Sequence, residues 1–378
     1  MKKTNNQKIT IGLPLMHLEG GEKRSFLPDF VRTLEKCDAD VYLEHGYGVR
    51  MGLEDSAYSE ITSRITFVSG REAYRQDIVL VLRCPSDNDL RNLRAGSCLI
   101  SMLHYATQPE RVRFLRSLGV NSISLDSIKD DSGRRLIENF HAVAWNGLEA
   151  AFRVLQGTYP KPGFFSPDRQ PIQITLLGVG ALGAHTVKAA VRYGSIPLHE
   201  RLARENVPGV IVTAVDYDIT NHADIMLGLL SKTDILVDTS ARLDTTRAII
   251  PNEWLAYLPD HAVILDLSVD PYQQIRGNNY TKGIEGIPQG NLDQYIFTPD
   301  DPIYAKIPGF VHTEHHRNVV SCYSWPGIHP KDCMQVYGPQ LRPIMRMLLS
   351  RGGLNGIDPN GRYFERAIGR ALLSNWIG

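Results

Sequence analysis

The chain has 378 residues, 41 basic against 41 acidic, with 43% hydrophobic and 22% charged side chains. That length suits two or three domains with sizeable cores, and the composition excludes a disordered chain. A formal net charge of zero excludes a generally basic nucleic-acid binder, though not a local patch, and argues against a polybasic membrane anchor.

Met1-Lys2-Lys3 opens like a leader, but Thr4-Asn5-Asn6-Gln7-Lys8 stands where a leader's apolar stretch belongs. Ile9–Leu15 then reads as a short strand, Phe26–Cys37 as a helix and Ala39–Glu44 as a second strand. Strands follow at 77–82, 98–103 and 121–125, with a helix over 109–118 that stops at Gly119. Strands separated by helical stretches predict βαβ units and a parallel sheet. Ile137–Gln156 reads as one long helix, and prolines 160, 162, 167 and 171 mark the loop after it. A second α/β section has strands at 172–177, 210–215, 234–238 and 262–267, with Gly194–Val207 looking like an insertion. Helical patterns return at 332–350 and 361–376. The expectation is two Rossmann-like, doubly wound parallel-sheet domains with a cleft between them. Residues 1–140 with 305–378 form a discontinuous substrate domain, and 141–304 form the nucleotide-binding domain.

No apolar run approaches the roughly 18 residues of a spanning helix. The five cysteines (37, 84, 98, 322 and 333) show neither zinc nor redox spacing. Reduced thiols in the cytoplasm are the plain reading. Glu314-His315-His316 invites a metal, but adjacent loop residues rarely ligate together without partners, so none is expected.

The strongest motif is Gly178-Val179-Gly180-Ala181-Leu182-Gly183, which follows a strand and opens a helix. The first glycine allows the tight turn, the second lets the backbone approach a pyrophosphate, and the third lets helix and strand pack closely. With Ala181 and Leu182, the helix start offers free N–H groups to phosphates. The strand 210–215 ends at Asp216, where a carboxylate accepts from ribose hydroxyls and repels a 2′-phosphate. NAD is therefore favoured over NADP, with Asp218 the competing acid. Thr239 and Ser240, just past another strand, complete the expected cofactor set.

Other candidates also stand at strand ends, which face the ligand crevice in parallel sheets. Arg83 ends one strand and His104 another, Asp270 lies past a third, and Arg24 follows the first strand and a Gly20-Gly21 turn. Guanidinium groups bind carboxylates bidentately, and an imidazole exchanges protons near neutral pH. Each also has a plain reading as a solvated, paired or capping side chain. The serines, Ser321 included, lack a nucleophile-elbow context.

Several stretches together resemble the alanine dehydrogenase and transhydrogenase N-terminal superfamily, which also holds the lysine-forming saccharopine dehydrogenases. They are Glu22-Lys23-Arg24 with Leu27-Pro28, Glu44 to Val49 continuing to Tyr58, Leu103-His104-Tyr105, and the loop Gly178 to Gly183. Asp130 to Arg135 and Ser324-Trp325-Pro326 look closer to the saccharopine branch, and Ile264 to Asp270 closer to alanine dehydrogenase. The resemblance implies that Arg24 binds the substrate carboxylate, that His104 transfers protons and that Asp270 assists at the amine or water. Arg83 stands where both branches have a lysine. It still anchors a carboxylate but cannot serve as a base. A two-carboxylate substrate would add Arg134 or Arg135.

The expectation is an NAD-dependent oxidoreductase acting on the C–N bond of an amino acid, with a small amino acid or keto acid as its partner and neither nucleic acid nor membrane. The alternatives are a saccharopine- or opine-type enzyme making a secondary amine, and a non-catalytic NAD sensor. The resemblance implies a homo-oligomer on the alanine dehydrogenase side and a monomer on the saccharopine side.

Overall fold

A computed structural model describes residues 8–376 apart from positions 62, 243 and 276. The N-terminal stretch read above for a leader lies almost wholly outside the described residues. The chain divides into two compact units. One takes the residues up to Asn139 together with His329 onward, and the other takes Phe140–Ile328.

The first unit is built on six strands: β1 (Thr10–Leu13), β2 (Asp40–Glu44), β3 (Ile65–Val68), β4 (Ile78–Arg83), β5 (Cys98–Met102) and β6 (Asn121–Ser124). Their order is β3-β2-β1-β4-β5-β6, and every pairing is parallel. A sheet covered on both faces needs apolar strands rather than alternating ones, and Ile78 to Leu82 is one unbroken buried run. The helix Pro28–Lys36 starts on a proline, which is preorganised for the first helical position. It buries Phe30, Val31 and Leu34 in the same core as Ile11, Leu13 and Leu43. The late helix Pro330–Ser350 completes that core with Met334, Leu341, Ile344 and Leu348.

The second unit has β7 (Ile172–Leu177), β8 (Val210–Val215), β9 (Ile235–Asp238), β10 (Val263–Asp266), a hairpin of β11 (Gln273–Ile275) and β12 (Asn278–Tyr280), then β13 (Ile296–Phe297) and β14 (Asn318–Ser321). The main sheet runs β13-β14-β10-β9-β7-β8, parallel except for β13 at the edge. The long helix Phe140–Thr158 belongs here. Its small and aromatic face (Ala144, Leu148, Ala151, Phe152) packs with β7 and β10.

Two expectations are corrected. Residues 305–328 lie in the second unit, not the first, because Asn318–Ser321 pairs along all of β10. The supposed insertion 194–207 holds the helix Ile196–Arg204, capped by the Ser195 hydroxyl, and so forms part of the crossover from β7 to β8. All five cysteines are free thiols. Among the described residues no helix is long and apolar enough to cross a membrane.

Candidate functional site

In the second unit the chain leaves β7 at Gly178 with φ +90°, a conformation that favours glycine. A Cβ at Gly178 would stand 2.9 Å from the Ser240 Cα, and one at Gly183 would stand 2.4 Å from the Gly178 carbonyl. A Cβ at Gly180 would meet nothing within 4 Å. The first and third glycines are therefore demanded by the protein's own packing, whereas the second faces open space at the start of the helix Ala181–Ala190. Thr239 Oγ1 donates to the Leu177 and Gly178 carbonyls, both at 2.9 Å, and fixes the turn. The neighbouring Ser240 hydroxyl is buried beside Asp238, whose Oδ1 accepts from the Ser240 amide at 2.9 Å. An open glycine loop at the switch point between β7 and β9 suits a dinucleotide. Asp216 sits at the end of β8, where its Oδ1 accepts from the Tyr217 amide at 2.9 Å.

Asp270 is engaged by Arg242, whose Nη2 lies 2.7 Å from Oδ2. Arg242 also donates to the Arg247 and Thr281 carbonyls. Just before it, Val269 holds φ +50°, an uncommon posture for a β-branched residue, with its amide donating to Asp266. Beneath lies a buried network that the sequence reading missed. Asp266 pairs with Lys282 at 2.9 Å, both 1% exposed, and accepts from Ser321. Ser268 Oγ stands 2.8 Å from Asp238 and 3.3 Å from Asp266. Burial, reinforced by the Asp266 charge, pushes the Asp238 carboxyl up to about 6, against the hydrogen bonds from Ser240 and Ser268. The signal for this network was available: Asp238 and Asp266 both end buried parallel strands.

In the first unit, β1 and β4 flank the point where strand order reverses. Arg24 is buried, with Nε and Nη2 on the two oxygens of Glu22 at 2.9 and 2.5 Å. Burial pushes the Glu22 carboxyl up, but Arg24, with help from the Arg83 charge, outweighs this and holds it below the usual range. The register of β4 against β5 shifts between Leu80 and Arg83, a bulge of the kind that re-aims a side chain. Arg83 then pairs with Glu19. The two proposed carboxylate anchors thus each hold an internal carboxylate, which residue type alone did not reveal.

His104 follows β5 in the left-handed region, φ +50°. Its Nδ1 lies 3.7 Å from Asp126, which stands just past β6 and was not singled out from the sequence. Asp126 also accepts from the His104 amide at 3.1 Å and the Ser124 hydroxyl at 2.7 Å. Burial raises the Asp126 carboxyl, yet His104, these hydrogen bonds and Arg135 together hold it low. Burial lowers the His104 imidazole, and the charges of Arg83, Arg111 and Arg135 add to this, against Asp126. Arg83 and Arg135 are therefore each within electrostatic reach of His104. Among the described residues no set of His, Cys, Asp and Glu is arranged to hold a metal. His316 instead lies against the Pro299 and Thr313 carbonyls and stacks on Tyr304.

Fold and loop together define a two-unit α/β protein of Rossmann type with one glycine-rich nucleotide loop. Residues 18–144 match the alanine dehydrogenase/PNT N-terminal domain. The chain is 23% identical to the alanine dehydrogenase of Bacillus subtilis, over 93% of this chain and 89% of that one. It is also 23% identical to the NAD(P) transhydrogenase subunit alpha of Haemophilus influenzae, where the match covers 50% of this chain but only 37% of the relative. A solved L-alanine dehydrogenase superposes with a TM-score of 0.70 at 18% identity, covering 96% of this chain and 94% of the other. A transhydrogenase from Sinorhizobium meliloti superposes with a TM-score of 0.59, covering 91% of this chain and 96% of the other. By these matches residues 18–144 are similar to the N-terminal domain shared by alanine dehydrogenases and transhydrogenases, and the whole chain shares the alanine dehydrogenase fold.

Proposed function

We propose that the protein is a nicotinamide-dinucleotide-dependent dehydrogenase acting on the C–N bond of an amino acid, in the manner of an alanine dehydrogenase. The observation that carries this reading is the His104–Asp126 pair beside Arg83 at the C-terminal ends of β4, β5 and β6. The match to an alanine dehydrogenase over nearly the whole length of both chains supports it, whereas the transhydrogenase match spans little more than a third of that relative. The glycine loop with Thr239 and Ser240 would hold the cofactor, which supplies a hydride acceptor when bound. Asp216 would take the ribose hydroxyls, which favours NAD over NADP.

Burial and neighbouring cations favour the neutral imidazole of His104, which would accept a proton as the general base. Asp126 orients the ring and stabilises the imidazolium that results. In the oxidative direction the substrate amine loses a hydride from its α-carbon and a proton from nitrogen. Water adds to the imine, and ammonia leaves. Arg83 anchors the carboxylate and, being always charged, moves no proton. Asp270, tied to Arg242, holds its segment in place and would meet the amine or water through its second oxygen.

A second reading, formation of a secondary amine from an amino acid and a 2-oxo acid, is favoured by Arg135, whose charge reaches His104 and Asp126 and could take a second carboxylate. The test mixes purified protein with NADH, pyruvate and ammonium, then with 2-oxoglutarate and a panel of amino acids, while reduced-cofactor absorbance is followed. Oxidation with ammonium is expected, and oxidation only with amino acid plus 2-oxoglutarate selects the second reading. His104→Ala should lower kcat at least a hundredfold with NADH binding retained. Unchanged turnover removes His104 from the mechanism.

A further inference from the structure

Asp238 ends β9 beside the nucleotide loop, and its side chain is buried. Its Oδ1 accepts from the Ser240 amide at 2.9 Å, and its Oδ2 accepts from the Ser268 hydroxyl at 2.8 Å. From β10 comes Asp266, which the same Ser268 hydroxyl reaches at 3.3 Å. From the segment after β12 come Lys282, which is engaged by Asp266, and the backbone of Gly283. A Cβ at Gly283 would stand 2.1 Å from Asp238 Oδ2, so no side chain at that position can bring a counter-ion. Past the end of β10, Asp270 and Arg242 are paired with each other. In this group three carboxylates share two cations, and among the described residues Asp238 is the one without a paired cation.

The sheet order reverses at β7, with β8 on one side and β9 and β10 on the other. A dinucleotide whose pyrophosphate meets the start of the helix Ala181–Ala190, and whose adenosine ribose meets Asp216, sends its other half toward the ends of β9 and β10. That half ends in the nicotinamide. The oxidised ring carries a positive charge and the reduced ring none, while both forms share the same phosphates. Resting on the nicotinamide reading above, we propose that ionised Asp238 supplies the counter-charge for the oxidised ring and so sets the preference for oxidised over reduced cofactor. Asp238 does not have to touch the ring, because a buried charge acts through the low-dielectric interior. Burial, with the Asp266 charge, pushes the Asp238 carboxyl up to about 6. Below that pH the carboxyl is neutral and does not distinguish the two rings; above it, the carboxylate favours the cation. By reciprocity, the oxidised form releases more proton from Asp238 on binding than the reduced form does.

The test titrates the full chain without substrate, so it reads binding rather than turnover. Affinities for NAD+ and NADH are measured by calorimetry from pH 5 to pH 8, with the 2′-phosphorylated pair used instead if it binds more tightly. The ratio of the two affinities cancels what the shared phosphates contribute. In the wild type this ratio should move at least about fivefold toward the oxidised form as pH rises through about 6. Titrations at pH 6 in buffers of different ionisation enthalpy should show more proton released with the oxidised form than with the reduced one. Asp238→Asn keeps the volume and the acceptor for the Ser240 amide but removes the charge. It should bind both forms with a ratio that no longer responds to pH and stays near the wild-type value at pH 5. A merely structural role would move both affinities together and leave the ratio unmoved. If both forms bind and the wild-type ratio is flat, the proposal is overturned and the nicotinamide reading stands, whether or not the variant folds. A ratio that shifts equally in wild type and variant also overturns it. Binding of neither form overturns the proposal and the nicotinamide reading together.

Discussion

Asp238 shows how far residue identity alone leads. From the sequence it is an acid ending a strand, like Asp216 and Asp266, and nothing in the letters separates them. The structure separates them by partner: Asp266 has Lys282, Asp216 has the Tyr217 amide, and Asp238 has two hydrogen-bonding serines and, among the described residues, no paired cation. Its carboxyl titrates at about 6, against roughly 4 in an unfolded chain. The folded state thus binds an extra proton between these values. The associated stability is fully present below pH ~4 and is lost as pH rises through ~6, a difference on the order of 3 kcal/mol. Asn at this position imitates the protonated form, accepting from the Ser240 amide and donating toward Ser268. Asp238→Asn should therefore melt higher than wild type at pH 8 and lose the decline across pH 4–6. Parallel melting curves for the two proteins would show that Asp238 does not titrate in this range. The same limit applied to Arg24 and Arg83: their places, in the loop after the first strand and at the end of β4, were legible, while the carboxylates that occupy them were not, because pairing is a property of the folded chain.

At the scale of elements, the apolar runs were clear guides. The strands read at 77–82, 98–103 and 172–177 appear as Ile78–Arg83, Cys98–Met102 and Ile172–Leu177. Ile65–Val68 and Asn318–Ser321 escaped notice because they are only four residues long and gain their strand character from neighbours: β2 for the first, β10 for the second. Register is non-local, and so was the domain boundary that depended on it. The glycine loop, by contrast, is local in origin, since strand, turn and helix follow one another directly. Its glycines make an unequal set that substitution can separate. Gly180→Ala places a methyl group in open space, so melting should stay within a degree or two while NADH binding falls at least tenfold. Gly183→Ala drives a methyl group to 2.4 Å from the Gly178 carbonyl and should lower stability by about 1–3 kcal/mol. Thermal melts paired with NADH fluorescence titrations distinguish the two, and equal loss of stability in both would contradict this assignment.

For the molecule as a whole, each unit owns its core. Leu341 illustrates this: it is fully buried in the late helix Pro330–Ser350, among residues that include Ile11, Phe30 and Leu34. Leu341→Ala should cost about 2–5 kcal/mol of the first unit's stability. NADH affinity, which the proposed role of the glycine loop places in the second unit, should change less than twofold in the native protein. A comparable loss of NADH affinity would show that the nucleotide loop draws on the first core after all.

The same late helix reverses the order in which a growing polypeptide can mature. Domains ordinarily fold as they leave the ribosome, N-terminal part first. Here the earliest-made strands must wait, with Ile11, Phe30 and their neighbours lacking part of their cover, until residues beyond His329 have been translated. The second unit, Phe140–Ile328, is finished sooner, although it starts later. During that interval the nascent N-terminal third carries exposed apolar surface and so becomes the part of the chain with most need of a chaperone.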